Sequence, residues 1–277
     1  MYNKIICPTD FSPASDNAIN YAAKLAQIFW AELLLLNIQK ISPITFSATF
    51  DINPGSNSEE KIKHAAAGLR SISEHLNKAF HISSTYEIEI SSKSITKAIA
   101  AEGDKKVLFV IGSNGEDNVY KRIFGSNSFR LAQETKLPVL VIPESAEYRT
   151  VKKVLFVITK EDQSILPLEE LQYFLEKFDA RITFLVTGNI NTYENCRAQA
   201  EKFYKEKISE INFWNKNSND PMKTMEEISE TSEFDLYVIQ QHEKSLIQKL
   251  LVRDLLKNII SKPKIPVLIL HELFELK

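Results

Sequence analysis

Short apolar runs alternate along this chain with longer stretches whose apolar residues recur at helical spacing. In the first half these runs are KIICP, AELLLLNI, STYEIEI, KVLFVIG and LPVLVIP. Most are unbroken, which is typical of strands in a parallel sheet that is buried on both faces. The stretches between them predict four helices, the first beginning at Ser12-Pro13 and the others covering 57–80, 92–103 and 125–136. Strands that alternate with helices predict an α/β fold with right-handed crossovers and an open, doubly wound sheet.

The second half repeats this order of elements, with the runs KKVLFVI, ARITFLV, ISEINFW, FDLYVIQ and IPVLIL. Residues 107–144 align without a gap onto the chain 128 residues later, and the first strand aligns at an offset of 149. An internal repeat follows, and we predict two domains in tandem, 1–147 and 148–277. Each domain is expected to hold a doubly wound open sheet of five mostly parallel strands, in the order 3-2-1-4-5, with helices on both faces.

Three of the chain's seven glycines, Gly112, Gly115 and Gly125, fall within fourteen residues. They follow the apolar strand KVLFVI, and Gly125-Ser126 stands where a helix begins. In open α/β sheets, ligands bind where a loop leaves the carboxyl end of a strand and leads to a helix N-terminus. Glycines let backbone N–H groups approach an anion, and the first helical turn adds donors and a partial positive charge, so the expected ligand is a phosphate. The spacing is neither that of a P-loop nor G-x-G-x-x-G.

The spacing Gly112-x2-Gly115-x9-Gly125-Ser126 resembles the universal stress protein family in its tandem, two-domain form, and the resemblance covers nearly the whole chain. In the ATP-binding branch of that family, this loop wraps the phosphates and ribose, a P-x-D after strand 1 contacts the adenosine, and an apolar residue ending strand 2 lies against the adenine. The resemblance therefore implies ATP, or another adenine nucleotide, with Mg²⁺ as a candidate companion. The site residues that it implies are Pro8, Thr9, Asp10, Ile38, Gly112, Ser113, Asn114, Gly115, Gly125, Ser126 and Asn127.

The second half has lost these markers. The counterparts of Gly112, Gly115, Gly125, Ser126 and Asp10 are Gln240, Glu243, Arg253, Asp254 and Thr159. The same strand, loop length and helix are thus expected without glycine, so the fold alone should not require the glycines of the first half. This favours one nucleotide per chain, bound by the first domain. The alternative is a relic loop that no longer binds anything.

Composition and charge narrow the classes of function. The net charge is −2, with 15 basic and 16 acidic residues before Arg149 and 19 and 20 from there on, so neither half has a basic surface for nucleic acid or an anionic membrane. No apolar run reaches the roughly 20 residues of a spanning helix, and the two cysteines lie in separate halves, so we expect a cytoplasmic protein without a disulfide framework. The histidines show no metal-ligand spacing, and we assign neither a metal site nor a catalytic residue.

The leading interpretation is an ATP-binding sensor or regulator of the stress response, which acts through an unidentified protein partner and not as an enzyme. A slow Mg²⁺-dependent ATPase or phosphotransferase at the same site is an alternative, although the sequence has no evident base and no P-loop lysine. A ligand-free interaction module is the third hypothesis. The last strands of the two halves, LPVLVIP and IPVLIL, are apolar and would otherwise be exposed edges, so we expect them to pair in an intrachain pseudo-dimer, with a homodimer of chains left open.

Overall fold

The computed structural model describes residues 2–39, 54–89, 107–113, 137–158, 166–187, 189–204, 210–216, 227–228, 234–241 and 265–271. The strands in these ranges are β1 (Lys4–Pro8), β2 (Glu32–Ile38), β3 (Ser84–Glu89), β4 (Val107–Ser113), β5 (Val139–Pro143), β6 (Lys153–Ile158), β7 (Arg181–Val186), β8 (Ile211–Asn215), β9 (Leu236–Gln241) and β10 (Val267–His271). The long helices are α1 (Pro13–Phe29), α2 (Pro54–Phe80), α3 (Leu168–Phe178) and α4 (Ile190–Tyr204). The helices predicted over 92–103 and 125–136 lie outside the described residues.

All ten strands belong to one sheet, in the order β3-β2-β1-β4-β5-β10-β9-β6-β7-β8. Neighbours are parallel within β1–β5 and within β6–β10. Each set of five has the order 3-2-1-4-5 when its strands are numbered along its own part of the chain. The predicted α/β fold class is thus confirmed, with one difference: the two sets form a continuous sheet instead of two separate ones.

The two sets meet through β5 and β10, which pair antiparallel. Val141 lies opposite Val267, and Leu140 lies opposite Leu268. All four side chains are buried. The expected pairing of the two last strands is therefore confirmed, and it covers two apolar edges that would otherwise invite association. The domain boundary at 147/148 stays a prediction.

The central strands are buried on both faces, which explains why they appear in the sequence as unbroken apolar runs, whereas β3 and β8 at the two ends of the sheet are largely exposed. On one face, strand side chains pack with those of α1 to α4; this cluster includes Ile5, Cys7, Leu69, Phe174 and Ala200. On the other face, alternate strand residues form a second cluster, which includes Ile6, Phe109, Leu155 and Ile239. Of the helices within the described ranges, none is long and apolar enough to cross a membrane.

Helix α1 begins where the sequence predicts. The Ser12 hydroxyl accepts a hydrogen bond from the backbone N–H of Ser15 at 3.3 Å, and Pro13 occupies the first turn. The helix ends at Phe29, after which Trp30 adopts a φ of 57°. The start of α1 is therefore fixed by local capping, and it lies at the carboxyl end of β1.

An aromatic cluster joins α1 to α3. The ring centroid of Phe29 lies 5.2 Å from that of Phe174 and 5.9 Å from that of Phe178, and Tyr2 lies 5.8 Å from Phe174. These rings are almost completely buried. The two sets of strands are consequently in contact through their helices as well as through β5 and β10.

Candidate functional site

The strand order reverses at the carboxyl ends of β1 and β4, where doubly wound sheets bind ligands. The pairing of β1 with β2 extends to Pro8, which lies opposite Leu36. The pairing of β1 with β4 ends two residues earlier, at Ile6, which lies opposite Phe109. The N–H of Thr9 bonds to the Leu36 carbonyl on β2, so the backbone of the preceding residue faces β4. Because that residue is a proline, it has no N–H to donate, and the ladder stops there.

The other set of strands lacks this interruption. Val157 stands at the position of Pro8, and β6 remains paired with β9 up to Val157, opposite Ile239. The proline of the P-x-D motif thus ends the pairing of β1 with β4 two residues early, at the place where the strand order reverses.

Thr9 belongs to the framework of this edge, because its polar groups are bonded within the protein. Its carbonyl accepts from Nδ2 of Asn37 at 2.7 Å, and its hydroxyl accepts from the N–H of Phe11 at 3.0 Å. The Ser15 hydroxyl donates its one hydrogen to the Ser12 carbonyl at 2.9 Å, so the Thr9 hydroxyl donates to Ser15 Oγ at 3.0 Å. Thr9 is buried, and its side chain is turned toward α1.

Asp10 is exposed beside this framework, and its Oδ1 accepts from the N–H of Ser12 at 3.1 Å. Partial burial raises the pKa of Asp10, but hydrogen bonds from Ser12 outweigh that effect, so the pKa lies below its ordinary value and the carboxylate is charged at neutral pH. Phe11 follows with a φ of 62°, a left-handed angle that is rare for a bulky residue. Its ring lies against Gly68 of α2, where an added Cβ would stand 3.2 Å from Phe11 Cε1.

Gly112 lies against the first turn of α1. A Cβ on Gly112 would stand 2.2 Å from the Ala14 carbonyl oxygen and 3.0 Å from the backbone nitrogen of Ser15. The expectation that the fold does not require the glycines of this loop is therefore wrong at Gly112. In the second half, where Gln240 replaces it, the helix starts later: α3 begins ten residues after β6 ends (158 to 168), whereas α1 begins five residues after β1 ends (8 to 13).

Ser113 carries a buried hydroxyl that has no hydrogen-bond partner among the residues that the structure describes. Side chains alternate along a strand, so Ser113 shares the face of Ile111, which is the face opposite α1. Ile38, at the end of β2, packs on that same face, and Pro8 is placed there by its alternation with Cys7. The structure thus brings Pro8, Ile38 and Ser113 to one face at the carboxyl edge of three adjacent strands.

The charged side chains described at the carboxyl ends of β1 to β5 are acidic: Asp10, Glu89 and Glu144. A polyphosphate at this edge would meet like charge from these groups, and a bound divalent cation would reduce that repulsion. Within the ranges that the structure describes, no group of three His, Cys, Asp or Glu residues is arranged to hold a metal ion.

The remaining predicted site residues lie outside the described part of the chain; they are Asn114, Gly115, Gly125, Ser126 and Asn127. One residue at the edge is absent from the sequence prediction. Asn37 is buried on β2 and bonds to the Thr9 carbonyl. The signal for it is present in the sequence, because Asn37 is the one polar residue within the apolar run LLLLNI, and a buried amide must find partners.

The fold is a doubly wound sheet, and where its strand order reverses it holds a buried hydroxyl that has no partner in the described part of the chain. These features define an α/β protein whose candidate ligand site is the carboxyl edge of the sheet. Residues 1–143 match the model of the universal stress protein family. The chain therefore belongs to the universal stress protein family, as the glycine spacing indicates.

Similar proteins extend the comparison over the whole chain. The universal stress protein MJ0531 of Methanocaldococcus jannaschii is 27% identical over 148 residues, which cover 51% of this chain and 82% of that protein. A universal stress protein structure from Archaeoglobus fulgidus covers 98% of this chain and 99% of its own, with a TM-score of 0.72 and 16% identity. The cytoplasmic domain of a prokaryotic cation chloride cotransporter covers 97% and 94%, with a TM-score of 0.55 and 13% identity. At these identities the two structures show a shared fold, which extends over both sets of strands.

Proposed function

We propose that this universal stress protein binds an adenine nucleotide, ATP in the first instance, at the carboxyl edge of β2, β1 and β4. The observation that carries the proposal is the buried Ser113 hydroxyl, on the face that it shares with Pro8 and Ile38. This hydroxyl has no partner within the described ranges of the chain. A buried polar group left unpaired costs about 1–3 kcal/mol, and a ligand that bonds to Ser113 would recover that cost.

Each part of the nucleotide has a group suited to it in this proposal. Ile38 lies against the adenine, and Asp10 contacts the adenosine. The phosphates and ribose are held by the loop that starts at β4, through Gly112, Ser113, Asn114, Gly115, Gly125, Ser126 and Asn127. Mg²⁺ bound with ATP offsets the negative charges of Asp10 and Glu144.

The protein then acts as a cytoplasmic sensor in the stress response, and not as an enzyme. The chain then has two tandem domains, 1–147 and 148–277, with different roles. The first binds the nucleotide. The second, which lacks the glycine motif, completes an intrachain pseudo-dimer. Nucleotide binding biases a surface that a protein partner recognises. The antiparallel pairing of β5 with β10 supports this arrangement.

The experiment is titration calorimetry of the full chain with ATP, with and without Mg²⁺, on wild type and Ser113→Ala. We expect one site per chain, tighter binding with Mg²⁺, and weaker binding by Ser113→Ala. Because no described residue bonds to this hydroxyl, its removal should leave the ligand-free protein as stable as wild type or more so. Lower affinity together with unchanged or higher stability is the signature of a ligand-binding hydroxyl.

Ser73→Ala is the matched control. The buried Ser73 hydroxyl donates to the Ser84 carbonyl at 2.9 Å and lies 2.9 Å from the Ser84 hydroxyl, far along the chain from the predicted site residues. This variant should lose stability and keep the affinity for ATP. Wild type that binds no adenine nucleotide, or Ser113→Ala with full affinity, would contradict the proposal.

A further inference from the structure

Asn37 is the buried polar residue at this edge that the predicted site does not include. Its side chain is 4% exposed, its Nδ2 donates to the Thr9 carbonyl at 2.7 Å, and its Oδ1 accepts from Nε2 of Gln39 at 2.5 Å. Both ends of the amide are therefore engaged, and the acceptor carbonyl of Thr9 fixes which end is the nitrogen.

The bond from Asn37 replaces a missing backbone bond. Pairing of β1 with β2 ends at Pro8, opposite Leu36, so the Thr9 carbonyl lies beyond the ladder. That carbonyl belongs to the peptide group that links Thr9 to Asp10. The peptide is trans and planar, so the Asp10 N–H points opposite to the carbonyl, away from β2 and toward the side of β4.

The direction of this peptide also sets the position of the Asp10 carboxylate. The carboxylate is held by the backbone N–H of Ser12, which donates to Asp10 Oδ1 at 3.1 Å. A rotated Thr9–Asp10 peptide would move Asp10 and carry its carboxylate away from this donor.

We propose that Asn37 is the positioning residue that fixes the Thr9–Asp10 peptide and thereby sets the affinity of the site for the adenosine part of its ligand. The inference rests on the proposed function, in which Asp10 contacts the adenosine. Asn37 acts through the Thr9 carbonyl. The phosphate-binding loop after β4 does not depend on it.

The corresponding strand ends of the second half, those of β6 and β7, provide a control for this bond. At the offset of 149, Val186 takes the place of Asn37 and Ile158 that of Thr9. The Ile158 carbonyl accepts instead from Thr187, from its backbone N–H at 2.9 Å and from its hydroxyl at 3.2 Å. Thr187 is buried as Asn37 is, so Thr187→Val removes a side-chain donor from an equivalent strand end without touching the proposed site.

The experiment compares Asn37→Leu with Thr187→Val by calorimetry against ATP, adenosine and inorganic tripolyphosphate. Loss of a hydrogen bond of ordinary net strength corresponds to about tenfold in affinity. Asn37→Leu should therefore bind ATP and adenosine about tenfold more weakly and bind tripolyphosphate as wild type does, whereas Thr187→Val should match wild type with all three. If Asn37→Leu does not fold, Asn37→Ser takes its place.

Asn37→Leu that binds adenosine like wild type overturns the inference, and so does an equal loss in both variants, because that would reflect general stability. A second measurement needs no ligand: the Asp10 carboxyl is titrated by carbon NMR. Its pKa should rise toward the ordinary value in Asn37→Leu and stay low in Thr187→Val; an unchanged pKa in Asn37→Leu overturns the inference. Wild type that binds no nucleotide refutes the proposed function alone, and the NMR result then decides whether Asn37 positions Asp10.

Discussion

Phe29 and Phe178 meet edge to face at 5.9 Å between ring centroids, one at the end of α1 and the other at the end of α3. They are 149 residues apart, the offset that aligns the first strands of the two halves. Each is thus packed against its own counterpart, and the contact lies between the two sets of strands. Both rings are buried, so the contact contributes to the stability of the whole sheet.

Phe29→Ala should lower the free energy of unfolding by about 3–5 kcal/mol, because it leaves a cavity among several aromatic rings. The loss should reach both sets of strands, and hydrogen exchange should show weaker protection of amides in β6 as well as in β1. The neighbouring Trp30 is 84% exposed, and Trp30→Ala should change stability by no more than about 0.5 kcal/mol. Protection lost in β1 to β5 alone would show that the contact does not link the two sets.

Gly112→Ala and Gly68→Ala should have opposite effects on stability. At Gly112 the new methyl group would stand 2.2 Å from the backbone of Ala14, which cannot yield without moving α1, so a loss of about 1–3 kcal/mol is expected. At Gly68 the neighbour is the partly exposed ring of Phe11, at 3.2 Å, which can turn aside. Alanine in the interior of α2 should then gain about 0.5–1 kcal/mol. Urea denaturation of both variants measures the difference; losses of equal size would contradict it.

Gly115→Val tests the predicted phosphate loop. A β-branched side chain restricts the backbone and occupies the space of the anion, so ATP binding should be lost. ATP at a hundred times its dissociation constant should stabilise wild type by about 2.7 kcal/mol, seen as a rise in melting temperature. The variant should show almost none of that rise. Without ligand it should melt near wild type, because the counterpart of Gly115 in the second half is Glu243, so a side chain is carried at that position there. A full ATP-induced rise in Gly115→Val would refute the assignment of this loop.

Asp10 should make the stability of the protein depend on pH. Its pKa is lower in the folded protein than the ordinary value of about 3.9, so the charged form favours folding. That contribution is fully present above about pH 4–5 and is lost as pH falls through the lower folded pKa. Wild type should therefore exceed Asp10→Asn in stability at pH 6, and the difference should shrink at pH 3 in denaturant titrations. A constant difference at both pH values would show that the carboxylate charge does not contribute.

The strands and their burial could be predicted from the sequence because a strand covered on both faces must be apolar at every position, as in LLLLNI and KVLFVI. The pairing of β5 with β10 could be predicted for the same reason, since neither apolar edge is stable in water. The role of Pro8 could not be predicted from the sequence. That Pro8 faces β4, and so ends the pairing of β1 with β4, follows only from the bond of the Thr9 N–H to β2. For Gly112 the sequence predicts the ligand role alone, because its contact with Ala14 depends on where α1 packs in three dimensions.

Strand direction reverses once in this sheet, between β5 and β10. The carboxyl ends of β1 and β4 therefore lie along one rim, and those of β6 and β9 lie along the other. The rim that carries Asp10 continues into the second set of strands, where it consists of the amino ends of those strands. A molecule that docks along this rim contacts the loops of one half next to the strand beginnings of the other. The surface is therefore asymmetric because of the antiparallel pairing itself, and it would be asymmetric even if the two halves had identical sequences.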